Sequence, residues 1–134
     1  MIQSVLPPQA ELARISYYAL SLGLLTALPA VFSGAAQAIQ MVGKQGLFEA
    51  DGKTIKIKFK TLITHVISSD IVLGVSAYTW YYRSANDAVN QGDFVRTGLA
   101  VLLSLGLMFA AHNGGSLTYE YGMGLSVGKK GKTT

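Results

Sequence analysis

Cysteine is absent from the 134 residues, which removes disulfides, thiolate metal sites and a thiol nucleophile together and leaves the redox compartment unreadable. Charge is scarce too: 13% of residues are charged, about half of the ~25% found in soluble domains. With two histidines and seven acidic residues spread along the chain, no Ser-His-acid or His-Glu-x-x-His arrangement occurs, so hydrolysis has no visible machinery. Gly114-Gly115 and Gly122-Met123-Gly124 follow no predicted strand and precede no Gly-Lys-Ser/Thr, so a phosphate-binding loop is set aside. The start of the chain shows no charged n-region leading into a short apolar core and a cleavage site, so insertion rests on the apolar segments themselves.

Those apolar segments are what the chain does have. Half of it is hydrophobic and its mean hydropathy is +0.36. The excess is gathered into three long, weakly charged stretches at about 12–42, 61–82 and 95–122. This predicts an all-α transmembrane helical bundle, a multi-pass membrane protein with three spans in one domain over 1–134. Residues 1–11, with Pro7-Pro8, read as a lead-in, and 125–134 as a basic tail. Pro29 removes a backbone bond to Leu25 and predicts a kink in the first span. The stretch 43–60 alternates apolar and basic residues, Ile55-Lys56-Ile57-Lys58-Phe59-Lys60. A lone strand has no partner, so it reads as a basic interfacial link, lysines toward phosphates and Ile55, Ile57 and Phe59 toward acyl chains.

Basic residues are distributed unevenly about these spans. Lys44, Lys53, Lys56, Lys58, Lys60, Lys129, Lys130 and Lys132 fall on one side, and only Arg14, Arg83 and Arg96 on the other. The lysine side and the C-terminus are therefore expected to face the cytosol or an equivalent such as a matrix, and the mitochondrial inner membrane fits as one setting. The same placement explains the net charge of +4 by anchoring to membrane lipids, with no nucleic acid required.

Helical spacing orders the interior. Gly98, Gly106, Ala110, Gly114, Thr118 and Gly122 form a smooth seam on the third span, beside Gly115, and Ala30, Gly34 and Ala38 form another on the first. Gly34, Gly106, Gly114 and Gly115 are the expected helix-packing positions. Thr61, His65, Ser68 or Ser69, Val72, Ser76 and Thr79 make a polar stripe on the second span that should face inward. Tyr78, Trp80, Tyr81, Tyr82 and Arg83 then read as a headgroup-level belt.

Counted from Arg83 and Arg96, His65 and His112 lie ~27 Å and ~24 Å into the bundle, at one level. Two imidazoles at one depth on neighbouring helices is the arrangement that axial ligation of haem b, or a shared metal, requires, with Tyr119 at the cofactor edge. The plain alternative is that each histidine hydrogen-bonds between helices. Asp70 lies ~7 Å deeper than His65. It is the lone intramembrane acid, readable as a proton-relay or substrate group or as a hydrogen-bonded structural acid.

Leu28-Pro29-Ala30 with Ser33-Gly34, Thr64-His65, and above all Ala111-His112-Asn113-Gly114-Gly115-Ser116-Leu117-Thr118-Tyr119-Glu120-Tyr121-Gly122-Met123-Gly124 resemble the small integral membrane proteins of domain-of-unknown-function family 2231. The last is similar to that family's Gly-Gly-x-Leu-Val-Tyr-x-x-Gly-x-Gly ending, with Thr118 in place of valine. The resemblance implies a four-span bundle whose opening helix carries further histidines. It therefore implies either an additional N-terminal span in the natural protein or its loss in this member. It implies no activity, since none is established for the family.

The expected function is a structural or accessory component of a membrane assembly without catalytic activity, with a protein partner or a homo-oligomer in the membrane. Two alternatives stand beside it: a b-type haem electron-transfer module using His65 and His112, and a small transporter or proton conductor using Asp70.

Overall fold

The computed structural model describes residues 7–89 and 91–123. Three helices follow one another: α1 over Gln9–Gln45, α2 over Ile57–Ala85 and α3 over Phe94–Tyr119. All three are long and apolar enough to cross a bilayer, whose ~30 Å hydrocarbon core needs ~20 helical residues. The fold is an all-α bundle of membrane-spanning helices. Side chains such as Leu22, Phe32, Ile71, Leu105 and Met108 are exposed around its outside, as suits a solvent of acyl chains.

Small residues decide which helices meet. A Cβ placed on Gly106 would lie 2.9 Å from Val72 Cγ2, and one on Gly114 2.9 Å from His65 Cε1, so α3 lies against α2 at these positions because they have no side chain. Ala110, between them, is 3% exposed. Gly98, Gly115 and Gly122 have nothing within 4 Å of such an atom. The close approach is therefore confined to the middle and the lysine-side half of the seam. α1 packs on the other flank of α2, and among the described residues no Cα of α1 comes within 8 Å of one in α3.

α1 is fastened to α2 at both ends. At the end bearing Arg83, Trp80 Nε1 donates to Ser21 Oγ at 2.8 Å and its ring stacks on Tyr17, centroids 6.2 Å apart. At the other end Phe59, Leu62, Leu117 and Met123 form a buried cluster, closed by Ala38, Met41 and Val42 of α1. Gly122, at φ 67°, turns the chain so that Met123 N donates to Leu117 O at 2.9 Å. Only glycine takes this conformation without strain.

The link differs from expectation. α1 runs on to Gln45 and α2 starts at Ile57, which leaves a short hairpin over 46–56 with an antiparallel bridge between Phe48 and Ile55. Phe59 does not dip into lipid: it is 0% exposed, on the first turn of α2. Period-two alternation was a weaker determinant here than the burial of one aromatic ring under three helix ends. Asp51 builds the hairpin turn. Its Oδ1 accepts from the backbone N–H of Lys53 and of Thr54, each at 2.9 Å, and its Oδ2 accepts from Thr54 Oγ1 at 2.6 Å. These bonds, the Thr54 hydroxyl first, hold its carboxyl down at about 2. Lys56 Nζ donates to the Gln45 carbonyl at 2.5 Å, and Lys58 Nζ to the Gln45 side-chain oxygen, joining the two helix ends. The basic tail, 125–134, lies outside the described residues.

Candidate functional site

Because α1 and α3 hold opposite flanks of α2 without meeting along most of their length, a cleft runs between them with α2 as its floor. It consists of two hollows that share Val72 and Leu107. The floor carries His65, Ser69, Val72, Ser76, Thr79 and Arg83, spaced three or four apart and hence on one helical face. The polar stripe thus turns inward. Thr61 and Ser68 stand outside it and bond within their own helix, Thr61 Oγ1 to Ile57 O and Ser68 Oγ to His65 O.

At the lysine end the hollow is about 520 Å³. Its α1 wall is small, with Ala27, Ala30, Gly34 and Ala38, and Gly114 and Thr118 face it from α3. Gly34 lines the cleft, and a Cβ placed on it would meet nothing within 4 Å. Asp70 opens onto this hollow and is exposed, close to the middle of α2.

His65 reaches the hollow across Gly114. Its Nδ1 lies 2.8 Å from the Ala110 carbonyl oxygen, which can only accept, so Nδ1 carries the proton and donates it. In the neutral ring Nε2 is then left with its lone pair. Backbone carbonyls orient metal-ligating imidazoles in this way. His112, two residues from Ala110 in one direction and from Gly114 in the other, is level with His65, but it is exposed and lines neither hollow. Counting residues gives depth but not rotation, and a step of two residues turns a helix by about 200°. Tyr119 is 87% exposed and also lies outside the hollows. Among the described residues no three His, Cys, Asp or Glu side chains group to hold a metal.

The hollow at the arginine end is about 820 Å³. Arg83, read from the sequence as a headgroup anchor, is 7% exposed and ties three segments together. Nη2 donates to Ala13 O at 2.6 Å and to Val89 O at 3.0 Å, and Nη1 to Ser16 Oγ at 3.1 Å. The guanidinium carbon stands 5.3 Å from the centre of the Tyr17 ring. Its Nε is buried without a hydrogen-bond partner among the described residues. Arg96 donates to Gln91 O at 2.7 Å and its Nε stands 3.5 Å from Asp93 Oδ2. Ser16, Ser21 and the Ala110 carbonyl were not singled out in the sequence; a serine at i and i+5 facing an aromatic-arginine cluster was the available signal.

The family model described as "Predicted membrane protein (DUF2231)" matches residues 2–127. The chain belongs to this family. No curated protein matches it, and no solved structure does.

Proposed function

We propose that this member of the family is an accessory subunit of a membrane assembly, whose lysine-end hollow receives a transmembrane helix of another polypeptide. The observation that carries this reading is Asp70. An acidic side chain near the middle of a span is costly to leave against acyl chains, and it opens here onto a hollow whose α1 wall, Ala27, Ala30, Gly34 and Ala38, is smooth enough for a backbone to come close. A helix bearing a hydrogen-bond donor at that depth covers the acid and fills the hollow at once. The other polar side chains of this hollow, Gln37, His65, Ser69 and Thr118, suit packing and hydrogen bonding. The lysine end is taken to face the cytosol or matrix, in keeping with its basic hairpin.

The test is the composition of particles extracted gently in native-membrane discs. A second polypeptide in fixed stoichiometry, lost on Asp70→Leu and retained on Asp70→Asn, is expected. A chain that is monomeric by mass in such discs, with and without the substitution, contradicts the proposal.

A second reading, a b-type haem or metal bound at His65, is supported by the Nδ1–Ala110 bond, which leaves Nε2 as the ligating atom. His112 does not share the hollow, so a second axial ligand would come from the partner. A Soret band that disappears on His65→Ala supports this reading; a colourless protein from haem-replete cells refutes it.

A further inference from the structure

We propose that the arginine-end hollow is a binding site for one anionic phospholipid, with the headgroup phosphate at Arg83 and Arg96 and the acyl chains running down between α1 and α3. This goes beyond the subunit reading, which concerns the other half of the cleft, and neither depends on the other.

Three observations carry it. The first is depth. Along each wall the hollow extends from a polar residue at its mouth to an apolar one at its base: Gln9 to Leu20, Arg83 to Val72 and Arg96 to Leu107. Each pair is eleven residues apart, ~16 Å of helix, close to half of the ~30 Å hydrocarbon core. The hollow is thus one leaflet deep. That depth matches the length of a lipid's acyl chains.

The second is charge. Arg83 is 93% buried by its 7% exposure, and among the described residues no carboxylate pairs with it. A buried cation without an anion is costly, and its bonds to two carbonyls and a hydroxyl supply dipoles only. Arg96 stands on the same hollow, where Asp93 offsets one of the two charges. One positive charge remains uncompensated at the mouth, matching a headgroup with a single net negative charge.

The third is the gradient along the walls. Thr79, Gln91 and Thr97 lie toward the mouth with the arginines, whereas Leu20, Leu99, Leu103 and Leu107 dominate the sides and base, where the polar residues are two serines, Ser76 and Ser104, the latter bonded back to Ala100 O of its own helix. A bare phosphate would use the first set only. An acyl chain uses the second.

The experiment is native mass spectrometry of the full chain in detergent, titrated with phosphatidylglycerol and with phosphatidylcholine of the same acyl chains. One phosphatidylglycerol is expected to stay bound at concentrations about fivefold below those needed for phosphatidylcholine, the effect of one uncompensated charge. Arg83→Gln disturbs the packing as well, so the deciding variants are Arg96→Gln, expected to weaken retention about fivefold, and Ala100→Trp, which fills the hollow and should abolish it while far-ultraviolet circular dichroism is unchanged. Replacing Lys53, Lys56, Lys58 and Lys60 with Gln should leave the tight adduct in place. Equal retention of the two lipids overturns the proposal. So does retention that follows the lysines instead of Arg96, or displacement of the lipid by millimolar inorganic phosphate, which would show that the site reads a free anion.

Discussion

His65 donates a hydrogen bond from Nδ1 to the Ala110 carbonyl at 2.8 Å, and it can do so only because Gly114, one turn further along α3, leaves room for the ring. An interhelical bond and a small-residue notch form one unit here. In the neutral ring the Nδ1–H tautomer is expected, so the imidazole nitrogens should give one protonated and one bare resonance in 15N NMR, with the proton on Nδ1. A proton on Nε2 would show that the Ala110 carbonyl is not the partner.

The notch should also be visible in stability. A methyl on Gly114 would lie 2.9 Å from His65 Cε1 and 3.2 Å from Nδ1, so Gly114→Ala should lower the stability of the folded protein in detergent by about 1–3 kcal/mol through overpacking. Gly115→Ala, with nothing within 4 Å, should cost nothing measurable or add slightly to helix propensity. Gly106→Ala should behave like Gly114→Ala because Val72 Cγ2 stands at 2.9 Å. Thermal unfolding of the three variants decides the matter, and equal midpoints would contradict the packing described.

Much of this arrangement was legible in the sequence, and the reason differs from part to part. The spans could be read because acyl chains admit almost no charge, so 13% charged residues must gather at the ends. The seam could be read because close approach of two backbones favours small residues four apart, as at Gly106, Ala110 and Gly114. The common depth of His65 and His112 follows from a constant rise. Which way His112 points does not: rotation about the helix axis is fixed by the packing of the whole seam, and a polar side chain two places from that seam carries no mark of it. Arg83 was misread because an arginine after four aromatic residues looks the same whether it reaches for headgroups or folds back onto Ala13 O. Phe59 was misread because the alternating run from Ile55 to Lys60 is split between the end of the hairpin and the first turn of α2, where neighbouring helices bury its one ring.

Loss of the Arg83 hub should be costly. Arg83→Gln leaves the carbonyls of Ala13 and Val89 short of their donors, and one unsatisfied buried acceptor costs about 1–3 kcal/mol. Arg83→Lys should recover only part of this, since a single ammonium cannot reproduce the planar fork that reaches α1 and the α2–α3 turn together. Unfolding midpoints in the order wild type, Lys, Gln are expected, and an unchanged midpoint for Gln would remove Arg83 from the account of the fold.

The hairpin should respond to acid. The Asp51 carboxyl is lowered from 3.8 to about 2 by its bonds from Thr54 and Lys53. A depressed carboxylate stabilises the fold above its unfolded value, and that contribution is lost as the pH falls through the folded one. The turn over 51–54 should therefore keep its order down to pH ~4 and lose it between ~4 and ~2. Amide exchange of Lys53 and Thr54 measures this, and Asp51→Ala should show the open behaviour at every pH. Protection that is independent of pH would mean that the carboxylate does not hold the turn.

The most direct measurement is site-specific photo-crosslinking in native membranes, with the reactive side chain placed at Leu73, which lines the lysine-end hollow, and as a control at Ile71, 61% exposed on the outer side of the same helix. The expected result is one discrete adduct of constant mass from position 73, absent from position 71 and abolished by Asp70→Leu. Lipid adducts alone from both positions, unaltered by the Asp70 substitution, would contradict a hollow covered by another polypeptide's helix.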